Sequence, residues 1–549
     1  MKMKKIDLNG QKFDTVETLD ALIERFSQRF GTMSAVKTKS GEKVTDKNYA
    51  QLYRDIRTTV RSLRENFTQC THIAIIGELN HNWIVMYLGI VCAGHVAVLI
   101  EKNPNVKSVK TLLEKADAEL LFFSNLTDKK QLEQQQRAFP AQKVMGTNDL
   151  KKLISGGKKG CDTAEIDPDQ AATIVFTSGT TGESKGVILT HRNICHNIIC
   201  CAYFVSGWVK EGDSIIPVLP PHHMFQITTG LLTPLYIGMT ICIGDGLKYI
   251  FSNIMLFMPS IMVIVPMIAE NIYQRIWLEA KKSGRGNRLR FCIKCSRLLL
   301  KIGIDIRKKL FASVLAAFGG ELRTLICGGA HLRPELVQGF EDLGILLING
   351  YGITECSPVV ACNMRANKKE GTVGPPAPAP YCEVKIVEDE ILVRGSIIMK
   401  GYYKDNEATI GAFDGEWFKT GDLGCFDGKG RLKINGRKKN LIILGDGNNI
   451  SSEELENQIK QFPGVQDVVV YAKEHKNTHV LTAAIYPEKE IINEADKEQF
   501  RDEIQKEIDA FNTICPMYKQ IHIVEIETNG FEKTVLGKVK RYQYIEKNA

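Results

Sequence analysis

The stretch Thr177-Ser178-Gly179-Thr180-Thr181-Gly182-Glu183-Ser184-Lys185-Gly186 follows a short apolar run, and its residue types suit the holding of a polyanion. Gly179, Gly182 and Gly186 let the backbone bend so that successive amides face an anion. Thr177, Ser178, Thr180, Thr181 and Ser184 add hydroxyl donors, and Lys185 adds a mobile point charge suited to phosphate. The Gly-Lys-Ser/Thr ending of a Walker A loop is missing. On composition alone a flexible surface loop is the better description. Two further apolar runs, however, also end in glycine: 322–327 in Gly328-Gly329, and 346–348 in Asn349-Gly350. In open parallel sheets ligands sit beyond the strands' carboxyl ends, so three such ends point to one shared site.

A parallel sheet able to present those ends is written in the periodicity. Residues 73–77, 96–100 and 120–123 read as short apolar strands, alternating with helical patterns over 82–93, closed by Gly94, and over 106–116. The alternation resumes with a strand at 174–176 and a helix over 193–205. Past Lys385 the texture changes to short strands with turns, at 390–393 and 430–434. A helix over 452–461 follows, with capping-box spacing of Ser451 and Glu454 at its start. Strands at 468–471 and 480–485, a helix over 497–512 and a strand at 521–525 complete the pattern. The fold class is therefore α/β: a large N-terminal domain of parallel α/β sheets plus a small antiparallel β unit, with a smaller mobile α+β C-terminal domain. At 549 residues the chain exceeds one core. The expected division is 1–436, a hinge at 437–440, and 441–549.

Composition narrows the class of function. Hydrophobic residues make up 44% and charged residues 24%, which argues against broad disorder. The net charge of +8 suits small anionic ligands, while the absence of zinc-finger spacing or a basic-aromatic cluster argues against nucleic acid. The 15 cysteines are scattered and odd in number, as expected of reduced core thiols in a cytoplasmic protein. The basic N-terminus has no apolar run behind it, so no signal peptide is expected. The longest apolar stretch, 254–269, is interrupted by Pro259 and Pro266; it is short for a membrane span and reads as a buried helix end plus a core strand.

In this order, the motifs resemble those of the adenylate-forming superfamily, which includes acyl-CoA synthetases, peptide-synthetase adenylation domains and firefly luciferase. The resemblance runs from about residue 45 to about 545. It implies that residues 177–186 are a phosphate loop, with Thr177 near a bound Mg²⁺. Gly350-Tyr351-Gly352-Ile353-Thr354-Glu355, with Asn349 before it, resembles the next signature. There Tyr351 would stack on adenine, Thr354 would donate to the α-phosphate and Glu355 would hold the metal. Gly328-Gly329-Ala330 resembles the adenine-pocket segment. The motif 417–424 implies that Asp422 accepts from the ribose hydroxyls, with Arg437 also reaching the ribose. The hinge position, usually aspartate or lysine, is Asn440 here. Lys538, in the motif 532–538, matches the mobile catalytic lysine, although Glu532 stands where proline is common. Gly445, beside Asp446 and Gly447, would border the thiol tunnel. The implied cofactors are ATP, Mg²⁺ and CoA, or the phosphopantetheine of a carrier protein.

Residues 220–225 resemble the edge of the family's acyl pocket, with His223 near the substrate carboxylate, Phe225 on the wall, and Gly230 with the apolar run 231–237 suiting an alkyl chain. A core histidine with a satisfied ring is the alternative for His223. Amino-acid-activating members place an aspartate just after this aromatic; here Gln226 and Ile227 follow, with no acidic residue before Gly244. An unpaired ammonium would be costly there, so a fatty acid is the expected substrate. The length of 438–450 leans toward long-chain fatty acid–CoA ligases. So does an insert at 281–309 holding eleven lysines and arginines with Asp305 its only acid. A solvated basic helix pair packed on the core is the preferred description; as the alternative, its interleaved leucines and isoleucines suit an anionic membrane surface, at the inner face. Two other functions are open: loading a separate acyl carrier protein, and nucleotide-binding regulation without catalysis. Retention of Lys185, Glu355, Asp422, Arg437 and Lys538 argues against the second.

Overall fold

The structure is a computed structural model that describes residues 4–41, 43–67, 69–102, 105–156, 165–178, 184–443, 449–475, 478–488, 494–533 and 539–548. It divides into two compact units, Met1–Val384 with Val393–Phe418, and Lys385–Leu392 with Lys419–Ala549.

The first unit is built on two sheets. In the seven-stranded sheet, His72–Ile76 pairs in parallel with Val96–Ile100 and Ala118–Phe123. Val96–Ile100 is buried along its whole length, which is what a strand covered on both faces demands of its sequence. Ala171–Ser178 joins it in parallel, and Ser184–Thr190 folds back antiparallel. The eight-stranded sheet runs parallel through Leu346–Gly352, Thr324–Cys327, Ile261–Ile264, Ser214–Pro217, Thr240–Ile243 and Ser34–Ser40, with antiparallel strands at both edges.

Local chemistry fixes the helix ends. Asn80 caps His81–Cys92 by accepting from the Trp83 amide at 2.9 Å. Gly94 turns the chain at φ +86 just past its end, a conformation that disfavours any residue with a Cβ. His191–Val205 begins with a Thr190–Asn193 capping box and is buried at every position except Arg192. Its polar residues, among them Asn193 and Asn197, are buried with the apolar ones, so the helix is covered on every side. The helix Ile250–Phe257 departs from the expected burial of the 254–269 stretch. Ile250, Asn253 and Ile254 are buried, whereas Met255, Leu256 and Met258 are exposed. The strand Ile261–Ile264 is fully buried, and Pro266 opens the helix Pro266–Lys282.

The strand Trp417–Phe426, which enters the second unit at Lys419, pairs antiparallel with Leu432–Arg437 and sets Asp422 opposite Arg437. A three-stranded sheet of Val465–His475, Thr478–Pro487 and Ile523–Ile526 follows. Its residues alternate between two cores. Val468, Val470, Leu481 and Ala483 pack with Leu455, Ile459, Ile504 and Ile508. Val469, Tyr471 and Ala484 pack with Phe531, Tyr544 and Ile545. The period-two pattern thus places helices on both faces of one sheet. Ser451 caps Ser452–Ile459 as its spacing implied, accepting from the Glu454 amide at 3.3 Å.

Candidate active site

The hairpin of Ala171–Ser178 and Ser184–Thr190 sets Thr177 directly opposite Lys185. Gly179, Thr180, Thr181 and Gly182 lie outside the described residues, and Ser178 is described in its backbone only. The segment that follows Lys400 ties this hairpin to the glycine-rich end of Leu346–Gly352. The Tyr403 amide donates to Gly186 O at 2.7 Å, and the Lys400 amide to Ile188 O at 3.0 Å. On the other side, the Met399 amide donates to Glu355 O at 2.7 Å. Residues 184–188 and 355 are therefore neighbours through one connecting strand.

Tyr402 stands at the centre of that junction. Its ring lies under the Lys185 ammonium, 5.0 Å from nitrogen to centroid, within cation–π range. Its hydroxyl donates to Glu355 Oε1 at 3.1 Å. Burial and the adjacent carboxylate push the hydroxyl's pKa well up, so it stays a donor. Nothing in the local sequence 400–404 announces this role, because its partners lie far away along the chain. The same is true of Asn197, which is buried on the helix His191–Val205. Its Nδ2 donates to Cys356 O at 3.0 Å and Val359 O at 2.8 Å, and its Oδ1 accepts from the Val359 amide at 3.2 Å. It clamps the turn Thr354–Cys356 that carries Thr354 and Glu355. Gly352 faces the same turn so closely that a Cβ would stand 2.0 Å from Pro358 O.

Gly328 and Gly329 follow Thr324–Cys327, with Ala330 next, and Asn349, Gly350, Tyr351 and Gly352 end Leu346–Gly352. These two parallel strand ends border an apolar cavity of about 780 Å³, counting the part open to solvent. Phe225, Thr229, Thr233 and Ile237 line it at intervals of four residues, and Cys201, Phe204 and Val205 face it from His191–Val205. None of its lining residues carries a charge. The four-residue file is kept in line by a π-helical turn at Thr228–Leu232 between Met224–Ile227 and Thr233–Ile237. In a plain α-helix, residues four apart drift around the axis; a wider turn offsets the drift.

Phe225 packs against Gly328, where an added Cβ would meet the ring at 2.9 Å. Gly230 does not line the cavity: its open side is filled by Gln226, whose Nε2 would stand 2.0 Å from an added Cβ. The buried Gln226 turns its Oε1 to the Leu219 amide at 3.0 Å. His223 precedes Met224–Ile227 and accepts backbone bonds from Gln226 and Ile227. Its ring centroid is 4.2 Å from that of His222, and its buried Nε2 has no hydrogen-bond partner among the described residues. Burial pushes His223 down to about 4. Burial and the neighbouring His223 push His222 down to about 3. Both rings are neutral near pH 7, which leaves the His223 ring able to exchange a hydrogen bond without carrying charge.

In the second unit, Arg437 Nε lies 2.8 Å from the buried Asp422 Oδ1. Glu453 ties the segment after them: it accepts from the Arg437 amide at 2.8 Å and from the Asn440 side chain. Gly445 and Lys538 lie outside the described residues. The chain on either side of 534–538 is fastened. Lys533 bridges Val539, and the Lys540 amide donates to Glu532 O at 2.8 Å. Lys533 and Lys460 both pair with the buried Asp467, at 2.5 and 3.0 Å. Arg541 pairs with Glu456 at 2.7 Å.

The donors present fit a magnesium nucleotide. Magnesium keeps several waters and takes few protein ligands beside substrate phosphates. Glu355, with one oxygen engaged by Tyr402, supplies a hard oxygen, and Lys185 a phosphate partner.

Residues 23–403 match the AMP-binding enzyme family, and residues 439–549 match the AMP-binding enzyme C-terminal domain. The chain is 29% identical over 454 residues to the long-chain-fatty-acid–CoA ligase FadD15 of Mycobacterium bovis, covering 78% of this chain and 75% of that protein. It is also 29% identical to the chloroplastic long-chain-fatty-acid–[acyl-carrier-protein] ligase AEE15 of Arabidopsis thaliana, covering 64% of this chain and 56% of that one. The fold is shared with ATP-bound MatB from Rhodopseudomonas palustris, at a TM-score of 0.78 and 21% identity, covering 96% and 99% of the two chains.

Proposed function

The chain belongs to the AMP-binding enzyme family, and from that premise we propose that it adenylates a medium- or long-chain fatty acid and passes the acyl group to CoA. The first half of this chemistry, ATP-dependent activation of an acid to an acyl-adenylate, is that of the family. The observation that carries the finer reading is the uncharged cavity bordered by Gly328, Gly329 and Gly350–Gly352. Hydrocarbon gains about 0.8 kcal/mol per buried methylene in such surroundings, whereas an ammonium there would go unpaired.

In this reading the fatty acid lies along Phe225, Thr229, Thr233 and Ile237, with its carboxylate near the neutral His223, whose Nε2, unpartnered among the described residues, can hydrogen-bond it. Thr177, Ser178, Gly179, Thr180, Thr181, Gly182 and Lys185 cradle the phosphates, and Thr354 donates to the α-phosphate. Glu355, with Thr177, would hold Mg²⁺, which when bound draws charge from the phosphate oxygens. Gly328, Gly329, Ala330, Asn349, Gly350, Tyr351 and Gly352 form the adenine pocket, and Asp422 with Arg437 takes the ribose. Lys538 offsets charge developing as the carboxylate attacks the α-phosphorus and pyrophosphate leaves; the carboxylate and the α-phosphate are both anionic, and their repulsion is the main barrier. Holding the two together removes about 7–11 kcal/mol of entropic cost. The C-terminal domain then turns about residues 437–440, pantetheine enters along Gly445, and its thiol attacks the acyl carbonyl as AMP leaves.

A carrier protein is the second candidate for the thiol, favoured by the similarity to a relative named for that acceptor. Peripheral contact with a membrane through 281–309 completes the set of proposed partners. Hydroxylamine trapping of acyl-adenylate over acids of graded length tests the reading. Hydroxamate formation should rise by about tenfold or more from butanoate to the medium and long acids. A flat response, or one confined to amino or aryl acids, would remove the fatty-acid assignment.

A further inference from the structure

The helix Gly286–Lys301 has two apolar faces. Leu289, Ile293 and Ser296 are buried, spaced so that they share one side of the helix. Phe291, Leu298 and Ile302, the last at the helix's C-terminal cap, are 67%, 66% and 68% exposed. At about 100° per residue these three fall within a narrow stripe on the side opposite the buried face. Along the axis the stripe runs about 16 Å. Lone exposed apolar residues need no explanation. Three large ones aligned along the outward ridge of a helix that already has a buried side do.

The stripe is edged with positive charge. Arg290, Lys294 and Lys301 flank it on one side and Arg288 on the other, by the same angular count. Of the eleven basic residues in 281–309, Arg297 is paired with Asp342 at 2.6 Å and Arg307 with Asp305 at 2.7 Å, while Lys282 lies 3.9 Å from Glu279. Lys281, Arg285, Arg288, Arg290, Lys294, Lys301, Lys308 and Lys309 have no ion pair among the described residues. The helix is also anchored. Arg297 makes a bidentate pair, at 2.8 and 2.6 Å, with the buried Asp342 of Pro334–Asp342, so the buried side is held down and the stripe is held out. No helix among the described residues is long and apolar enough to cross a membrane.

We propose that this stripe is a docking surface for an anionic lipid bilayer, with Phe291, Leu298 and Ile302 entering the headgroup–acyl boundary and the flanking basic residues meeting lipid phosphates. An apolar row edged by cations, lying parallel to a helix axis, is the chemistry that seats a helix in the plane of an interface. Nucleic acid would use the charge but leave the apolar row in water. The inference deepens the membrane contact named above by assigning its residues, and it does not depend on the acyl chemistry.

The test is flotation of the full chain with vesicles of phosphatidylcholine alone and of phosphatidylcholine with phosphatidylglycerol, without ATP, at low and high salt. The chain should float with the anionic vesicles, and salt should weaken that binding. The triple variant Phe291→Ser, Leu298→Ser, Ile302→Ser and the pair Lys294→Glu, Lys301→Glu should each weaken binding by about tenfold or more, with circular dichroism and octanoate adenylation as in the parent. Equal binding by parent and triple variant would overturn the proposal, as would no binding of the parent to anionic vesicles. If the triple variant instead converts an oligomer to a monomer in sedimentation velocity and leaves flotation unchanged, the stripe is an interface between copies of this chain.

Discussion

Tyr402 shows how much one hydroxyl can arrange. It donates to Glu355 and lies under Lys185, so two proposed magnesium- and phosphate-binding groups share one support. Removing the hydroxyl leaves the ring, and with it the cation–π contact, in place. Tyr402→Phe is therefore expected to raise the Mg²⁺ concentration for half-maximal adenylation by about tenfold, the usual scale for loss of a group orienting a metal ligand. The Michaelis constant for the acid should change little. A magnesium titration of pyrophosphate release reads both, and an unchanged magnesium dependence would detach Tyr402 from the metal's support. The sequence could not single this residue out. Thr177, Lys185 and Glu355 sit in glycine-rich motifs whose spacing is itself a signal. Tyr402 and Asn197 act through contacts across 47 and 159 residues of chain, which periodicity does not encode.

At the scale of elements, the wall formed by 224–237 makes a sharper prediction. Thr233 faces the cavity one turn beyond Thr229, so Thr233→Phe puts a ring where a long chain would pass. The ratio of palmitate to octanoate adenylation should fall by at least about tenfold, as expected from overfilling a packed site. A ratio equal to the parent's would mean that the acid does not run along this helix. Strands were the most legible elements. Val96–Ile100 needed apolar residues at every position because both faces are covered, and the unbroken apolar run 468–471 within Val465–His475 has the same cause, a core on each face. Burial at element ends was less legible. The run 254–269 is apolar but for Ser260, yet Met255, Leu256 and Met258 face outward, because composition reports that a residue is apolar and not what covers it. The run 231–237 divides similarly. Leu231 and Leu232 are buried without lining the cavity, whereas Thr233, Pro234 and Ile237 face it. A π-helical turn sets that choice, and no residue pattern announced it.

At the scale of the whole molecule, the two proposed half-reactions make different demands on Lys538. Lys538→Ala should slow adenylation by roughly 10²–10³-fold, the size of a lost charge-stabilising group. Conversion of preformed acyl-adenylate with CoA should stay within about threefold of the parent, since the lysine is uninvolved in that step. Equal loss of both in a folded variant would end the two-position mechanism. The outward row of Phe291, Leu298 and Ile302 lies on one side of one helix, which would give the molecule a fixed attitude toward a lipid sheet. An enzyme held that way would meet its acid in two dimensions. Turnover would then follow the acid's mole fraction in the bilayer, and inert lipid added at constant total acid would slow the reaction by surface dilution.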